Sequence, residues 1–231
     1  MPGTNPAEAE EPAEPRDLVV LLLALTVVSG VVDAVSFLGL GDVFVANMTG
    51  NLVFFGFAAA GQIGHSILPS LTAIAAFLVG AFTGGRLSRR AHGRVLLRRA
   101  TMLQAVPVTL AVVVSAIFGN SGRPVAEVLI VLLGFAMGLQ NAAAREIGLA
   151  DLQTTVFTRT VTALAADAKP AGGKGSRPGR KLTVIGAILL GAFAGGLLQL
   201  HVATWAALTL ALALIVTVSV VLRLRGDDDA A

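Results

Sequence analysis

Apolar residues in this chain fall in long unbroken runs, with the charged residues gathered into short islands between them. Residues 43–85 contain no Asp, Glu, Lys or Arg over 43 positions, and residues 182–222 contain none over 41. A helix crossing the hydrocarbon layer of a bilayer needs about 20 apolar residues, so each run has room for two. The pattern predicts an all-α chain. A first span, 18–40, is interrupted by one charge, Asp33. An apolar but polar-dotted stretch, 43–60, follows, then a turn at 61–66 and a span at 68–85. Spans at 101–118 and 125–144 flank a breaker-rich turn, 119–124. Residues 145–167 are more polar, and 168–181 form a Gly/Pro/Lys/Arg linker. The last run divides at 199–205, where His201 and Trp205 suit a membrane interface.

Charged residues make up 13% of the chain against 55% apolar, roughly half the share of about a quarter usual in a soluble domain. There is no cysteine. A soluble globule, a disulfide framework and a zinc–thiolate site are excluded, and no cofactor is expected. The net charge of +3 could suggest nucleic acid. The basic residues, however, sit in loops between apolar runs, where they set orientation in a bilayer. The expected partner is therefore lipid, with no nucleic acid. Residues 1–17 are rich in Pro, Glu and Ala and lack a basic signal-peptide start. They read as a disordered acidic tail, with 223–231 a short C-terminal one.

Arg86, Arg89, Arg90, Arg94, Arg98 and Arg99 form an island without acid. The positive-inside rule places it on the cytoplasmic side, together with the 168–181 linker, Arg223 and Arg225. The helix ending at Arg86 then runs inward, and the one starting after Lys181 runs outward.

Three stretches repeat. Gly80-Ala-Phe-Thr-Gly84-Gly85 matches Gly191-Ala-Phe-Ala-Gly195-Gly196 at an offset of 111. Gly30-Val-Val-Asp33-Ala matches Gly138-Leu-Gln140-Asn141-Ala at 108, and Thr49-Gly-Asn51 matches Thr158-Arg159-Thr160 at 109. Repeats of this length mark duplicated units. Opposite orientation of the two GAFxGG helices makes the duplication an inverted one, with repeats at 18–118 and 125–222. Each half then contributes three spans and one re-entrant or broken segment, giving six spans and both termini inside. The rival is a seven-span chain in which 43–60 crosses fully.

Inverted repeats with interrupted helices place substrate and ion sites near the midplane. The candidate pathway residues are Asp33, Asn47, Thr49, Asn51, Gln140, Asn141, Thr158 and Arg159. A carboxylate inside a span marks either a functional site or a buried pair. Asp33 could carry a coupling proton or could pair with Arg159. The amides and hydroxyls of Ala46-Asn-Met-Thr-Gly-Asn51 could line a polar route or bond neighbouring helices. Gly80, Gly84, Gly191 and Gly195 have the GxxxG spacing of close helix packing, either within the fold or at a homo-oligomer seam. No hydrolase, phosphate-loop or zincin motif occurs, so an enzyme is not expected.

These residues also carry a resemblance. Gly30-Val-Val-Asp33-Ala-Val-Ser36-Phe-Leu-Gly39, Phe44-Val-Ala-Asn47-Met-Thr49-Gly50-Asn51, and Gly138-Leu-Gln140-Asn141-Ala with Thr154, Thr155 and Thr158 resemble the YoaK-like family of small bacterial membrane proteins. The resemblance covers most of 18–222 and implies an integral inner-membrane protein from a family of unknown function. The family pattern implies glycine where this chain has Arg159. The reading is a secondary transporter or channel for a small solute, with proton coupling through Asp33 open. The alternative is an accessory protein that packs a partner through its glycine faces.

Overall fold

The computed structural model describes residues 16–61, 67–120, 122–147, 162 and 178–228. Seven long helices account for nearly all of them: α1 (Arg16–Gly39), α2 (Met48–Ala59), α3 (Ile67–Ser88), α4 (Gly93–Phe118), α5 (Arg123–Ile147), α6 (Pro178–His201) and α7 (Thr204–Asp228). Six of these, all but α2, are long and apolar enough to cross a membrane. At 1.5 Å per residue, the 12 residues of α2 span about 18 Å, well short of the ~30 Å hydrocarbon core. As a helix, α2 cannot make the seventh crossing. Chemistry sets the boundaries: α1 runs into Gly41 at φ +103°, and α4 stops at Gly119 at φ +67°, a left-handed conformation that glycine tolerates.

α4 begins at Gly93 rather than near Thr101, so Arg94, Arg98 and Arg99 belong to its first turns. Long arginine stems can lie along an apolar helix end while the guanidinium reaches water. The extension carries Gln104 into the helix interior.

The ends of the bundle are tied together by polar contacts. At one end the Asp17 carboxylate of α1 meets Arg94 of α4 at 2.5 Å and Arg225 of α7 at 3.6 Å. At the other, the Asn120 side-chain amide donates to the carbonyl of Gly39 at 3.2 Å, and Gln199 of α6 stands against Gly39. α1, α4 and α6 therefore run from the Arg94 end to the Asn120 end, while α3, α5 and α7 run back. The two GAFxGG helices, α3 and α6, point in opposite directions.

α1 and α5 are the most enclosed spans, 61% and 50% buried, whereas α3 and α6 are 28% and 22% buried. The outer helices each grip one inner helix. α6 packs on α1 and α3 packs on α5, while α4 and α7 pack on each other and on α5 and α1 respectively. Glycine makes both grips possible. A β-carbon at Gly30 would stand 2.5 Å from the carbonyl oxygen of Ile188. One at Gly138 would meet the carbonyl oxygen of Phe77. Gly191 and Gly195 receive Val27 and Val31, while Gly80 and Gly84 receive Phe135 and Leu139. At offsets of 108 and 111 these are the same contacts: Val27 corresponds to Phe135, Val31 to Leu139, and Phe77 to Ile188. Each crossing thus joins one helix from each half of the chain.

Candidate functional site

Between α1 and α2 the chain leaves helical conformation for about eight residues, yet Leu40, Val43, Val45 and Ala46 in that stretch are buried. Buried backbone N–H and C=O groups need partners, and without a helix they must come from side chains. Asp33 supplies two: its Oδ1 accepts from the N–H of Val45 at 3.0 Å and of Ala46 at 2.7 Å. Asn51 supplies two more. Its Oδ1 accepts from the N–H of Phe44 at 2.9 Å, and its Nδ2 donates to the Phe44 carbonyl at 2.5 Å.

Aromatic rings lock the same stretch. Phe44 stacks on Phe37 of α1 at 5.0 Å and on Phe54 of α2 at 6.0 Å. Gly50 makes room for this: a β-carbon there would stand 2.7 Å from the Phe44 ring. Thus in the string Ala46-Asn-Met-Thr-Gly-Asn51, Gly50 admits the ring, Asn51 holds the backbone beneath it, and Ala46 is anchored on Asp33. Asn47 and Thr49 face the other way and are exposed, so the three polar residues do not share one surface. Asp33 itself is half-buried.

A second polar cluster joins three helices near mid-length. Gln140 of α5 donates through Nε2 to the Leu25 carbonyl at 3.0 Å and to Ser29 Oγ at 2.9 Å, both on α1. Its Oε1 accepts from Gln104 Nε2 of α4 at 2.6 Å. All three polar side chains are buried, and Gln104 Oε1 has no partner among the described residues. Buried amides of this kind tie the three helices together by polarising one another.

Towards the Arg94 end, α3 and α5 part to leave a cleft of about 570 Å³. Asn141, Arg145, Glu146 and Ser88 give it polar walls, and Gly85 and Ala81 keep its floor low. The Asn141 amide donates to its own helix at the Met137 carbonyl, 2.9 Å away.

The sequence-predicted residues therefore divide into groups. Asp33 and Asn51 meet at the broken segment, Gln140 lies in the mid-length bridge, and Asn141 lines the cleft. Thr158 and Arg159 lie outside the described residues, as does an Asp33–Arg159 pairing. Gly80, Gly84, Gly191 and Gly195 are all occupied by helices of the same chain, leaving those faces no room for a partner protein. Sequence reasoning missed Ser29, Gln104 and the Phe37–Phe44–Phe54 stack. A lone glutamine eleven residues into α4 was the available signal for Gln104, hidden while α4 was expected to start at Thr101.

Comparison with known proteins supports the membrane reading. Residues 21–221 match the family described as "Protein of unknown function (DUF1275)". The chain is 34% identical over 153 residues to the UPF0700 transmembrane protein YoaK of Bacillus subtilis (strain 168), covering 66% of this chain and 67% of that protein. No solved structure matches.

Proposed function

The chain belongs to the DUF1275 family, and on that premise we propose that this integral membrane protein is a secondary transporter or channel for a small solute, built from two inverted repeats. The observation that carries the reading is the broken segment 40–47. Non-helical backbone at membrane depth is tolerated only where protein encloses it or water reaches it, and such interruptions line the substrate sites of repeat-built transporters. Three further features support it: the opposed GAFxGG helices, the α3–α5 cleft with its Asn141 and Arg145 walls, and the neutral Ser29–Gln140–Gln104 bridge. In this reading the cleft is the cytoplasmic vestibule and the bridge is the constriction.

The Arg94 end is assigned to the cytoplasm by its arginines, with both termini on that side of a bacterial inner membrane. Because the chain lacks cysteine, single substitutions report topology directly. His92→Cys should resist an impermeant thiol reagent in intact cells, and Asn120→Cys should react.

The functional test is solute and proton flux in proteoliposomes across a broad panel of small solutes. Wild-type protein should move at least one of them. Asp33→Asn should reduce that flux while leaving the protein monodisperse. Absence of flux from well-folded wild-type protein across the panel would overturn the proposal.

A further inference from the structure

We propose that the lateral groove between α1 and α7 binds one acyl chain of an anionic phospholipid, whose phosphate rests on Arg225. The groove encloses about 550 Å³. Leu21 and Val218 form its buried floor, and Val20 and Thr217 are its exposed lips. The Thr217 hydroxyl donates to the Ala213 carbonyl at 2.8 Å, so this lip offers its methyl group rather than a free polar atom. Ala24 and Leu214 line its deep end. Leu214 lies eleven residues before Arg225 on α7, about 16 Å at helical rise, which is the depth of one leaflet of a ~30 Å hydrocarbon core.

The mouth of the groove carries an exposed arginine for such a headgroup. Asp17 and Arg225 both stand there. Two guanidiniums share the single Asp17 carboxylate, and Arg94 holds the nearer position, 2.5 Å against 3.6 Å. Arg225 is the looser of the two, with its side chain 55% exposed. A guanidinium in that state can offer paired donors to a phosphate. An apolar slot one leaflet deep under a solvent-accessible arginine is complementary to an anionic glycerophospholipid.

The test uses the full chain reconstituted with equimolar phosphatidylglycerol and phosphatidylcholine, with retained lipid counted by native mass spectrometry. Wild-type protein should retain phosphatidylglycerol at about fivefold preference, the weight of a ~1 kcal/mol basic contact at an anionic surface. Arg225→Gln should bring the ratio close to one. Ala24→Phe, which fills the slot but spares the mouth, should lose lipid of both kinds. Free orthophosphate should not displace the lipid. A photoactivatable acyl chain on phosphatidylglycerol provides a readout that needs no substitution, with adducts concentrated on 20–24 and 214–221. An unchanged ratio in Arg225→Gln, lipid retained by folded Ala24→Phe, displacement by orthophosphate alone, or adducts spread evenly over α3 and α6 would overturn the proposal.

Discussion

Where α1 crosses α6, the groove at the Asn120 end is filled; where α5 crosses α3, the corresponding groove at the Arg94 end is a cleft. The crossings themselves use matching glycines and matching partners, so the difference lies in what lines the walls beyond them. On α1 the wall continues as Asp33, Phe37 and Leu38; at the 108-residue offset α5 presents Asn141, Arg145 and Glu146. Phe37 stacks on Phe44, and Leu38 Cδ1 lies 3.7 Å from where a Gly196 β-carbon would be, whereas a β-carbon at Gly85 would meet nothing within 4 Å. An apolar pair lines one groove, and a charged pair lines the other. One backbone arrangement thus supports two surfaces, distinguished by a few side chains.

Several substitutions would break or sharpen this contrast. The largest effect is expected where the crossings are tightest. Gly138→Leu drives a side chain into the Phe77 carbonyl and should cost about 3 kcal/mol or more, the upper end of overpacking penalties. Thermal unfolding in detergent should show loss of the cooperative transition, and Gly30→Leu should behave alike. Next come the two clamps of the broken segment. Asn51→Ala strands both backbone groups of Phe44 and should cost about 2–4 kcal/mol, and Asp33→Ala, which strands two N–H donors, about 2 kcal/mol. The same measurement on Asn141→Ala should show a loss below about 1 kcal/mol, because its only described bond lies within its own helix. An equal loss for Asp33→Ala and Asn141→Ala would erase the asymmetry between the grooves. The smallest effect is expected for Gly85→Ala, which should leave the melting temperature unchanged or raise it slightly through the helix preference for alanine.

Much of this architecture was legible from the chain alone. The apolar runs between the charged islands are long enough to register every span, and the basic islands after α3 and before α6 set the opposed directions of the GAFxGG helices without any knowledge of packing. The polar residues were harder. Asp33 stood out because a carboxylate in an apolar run is rare, but its partners are backbone amides, which leave no trace in residue identity. Asn47, Thr49 and Asn51 form one polar string in the sequence, with no sign of which of them turns inward. The helix starts only at Met48, which turns Asn51 inward and Thr49 outward. Gly50 and Phe44 carry a pairing that becomes visible once the ring is seen on the glycine. At the 109-residue offset the chain has Arg159 for Gly50 and Gln153 for Phe44, so both members of that contact are replaced together in the second half.

The cross-half pairing also has a consequence for synthesis. α1 ends at Gly39, but the helix that fills its glycine notch is not finished until His201, 162 residues later. At about 5–20 residues per second, α1 waits on the order of ten to thirty seconds after emerging before its mate exists. Neither half can reach its final form unaided. Two separately translated halves should find each other in the membrane, and either one made alone should be left for proteolysis.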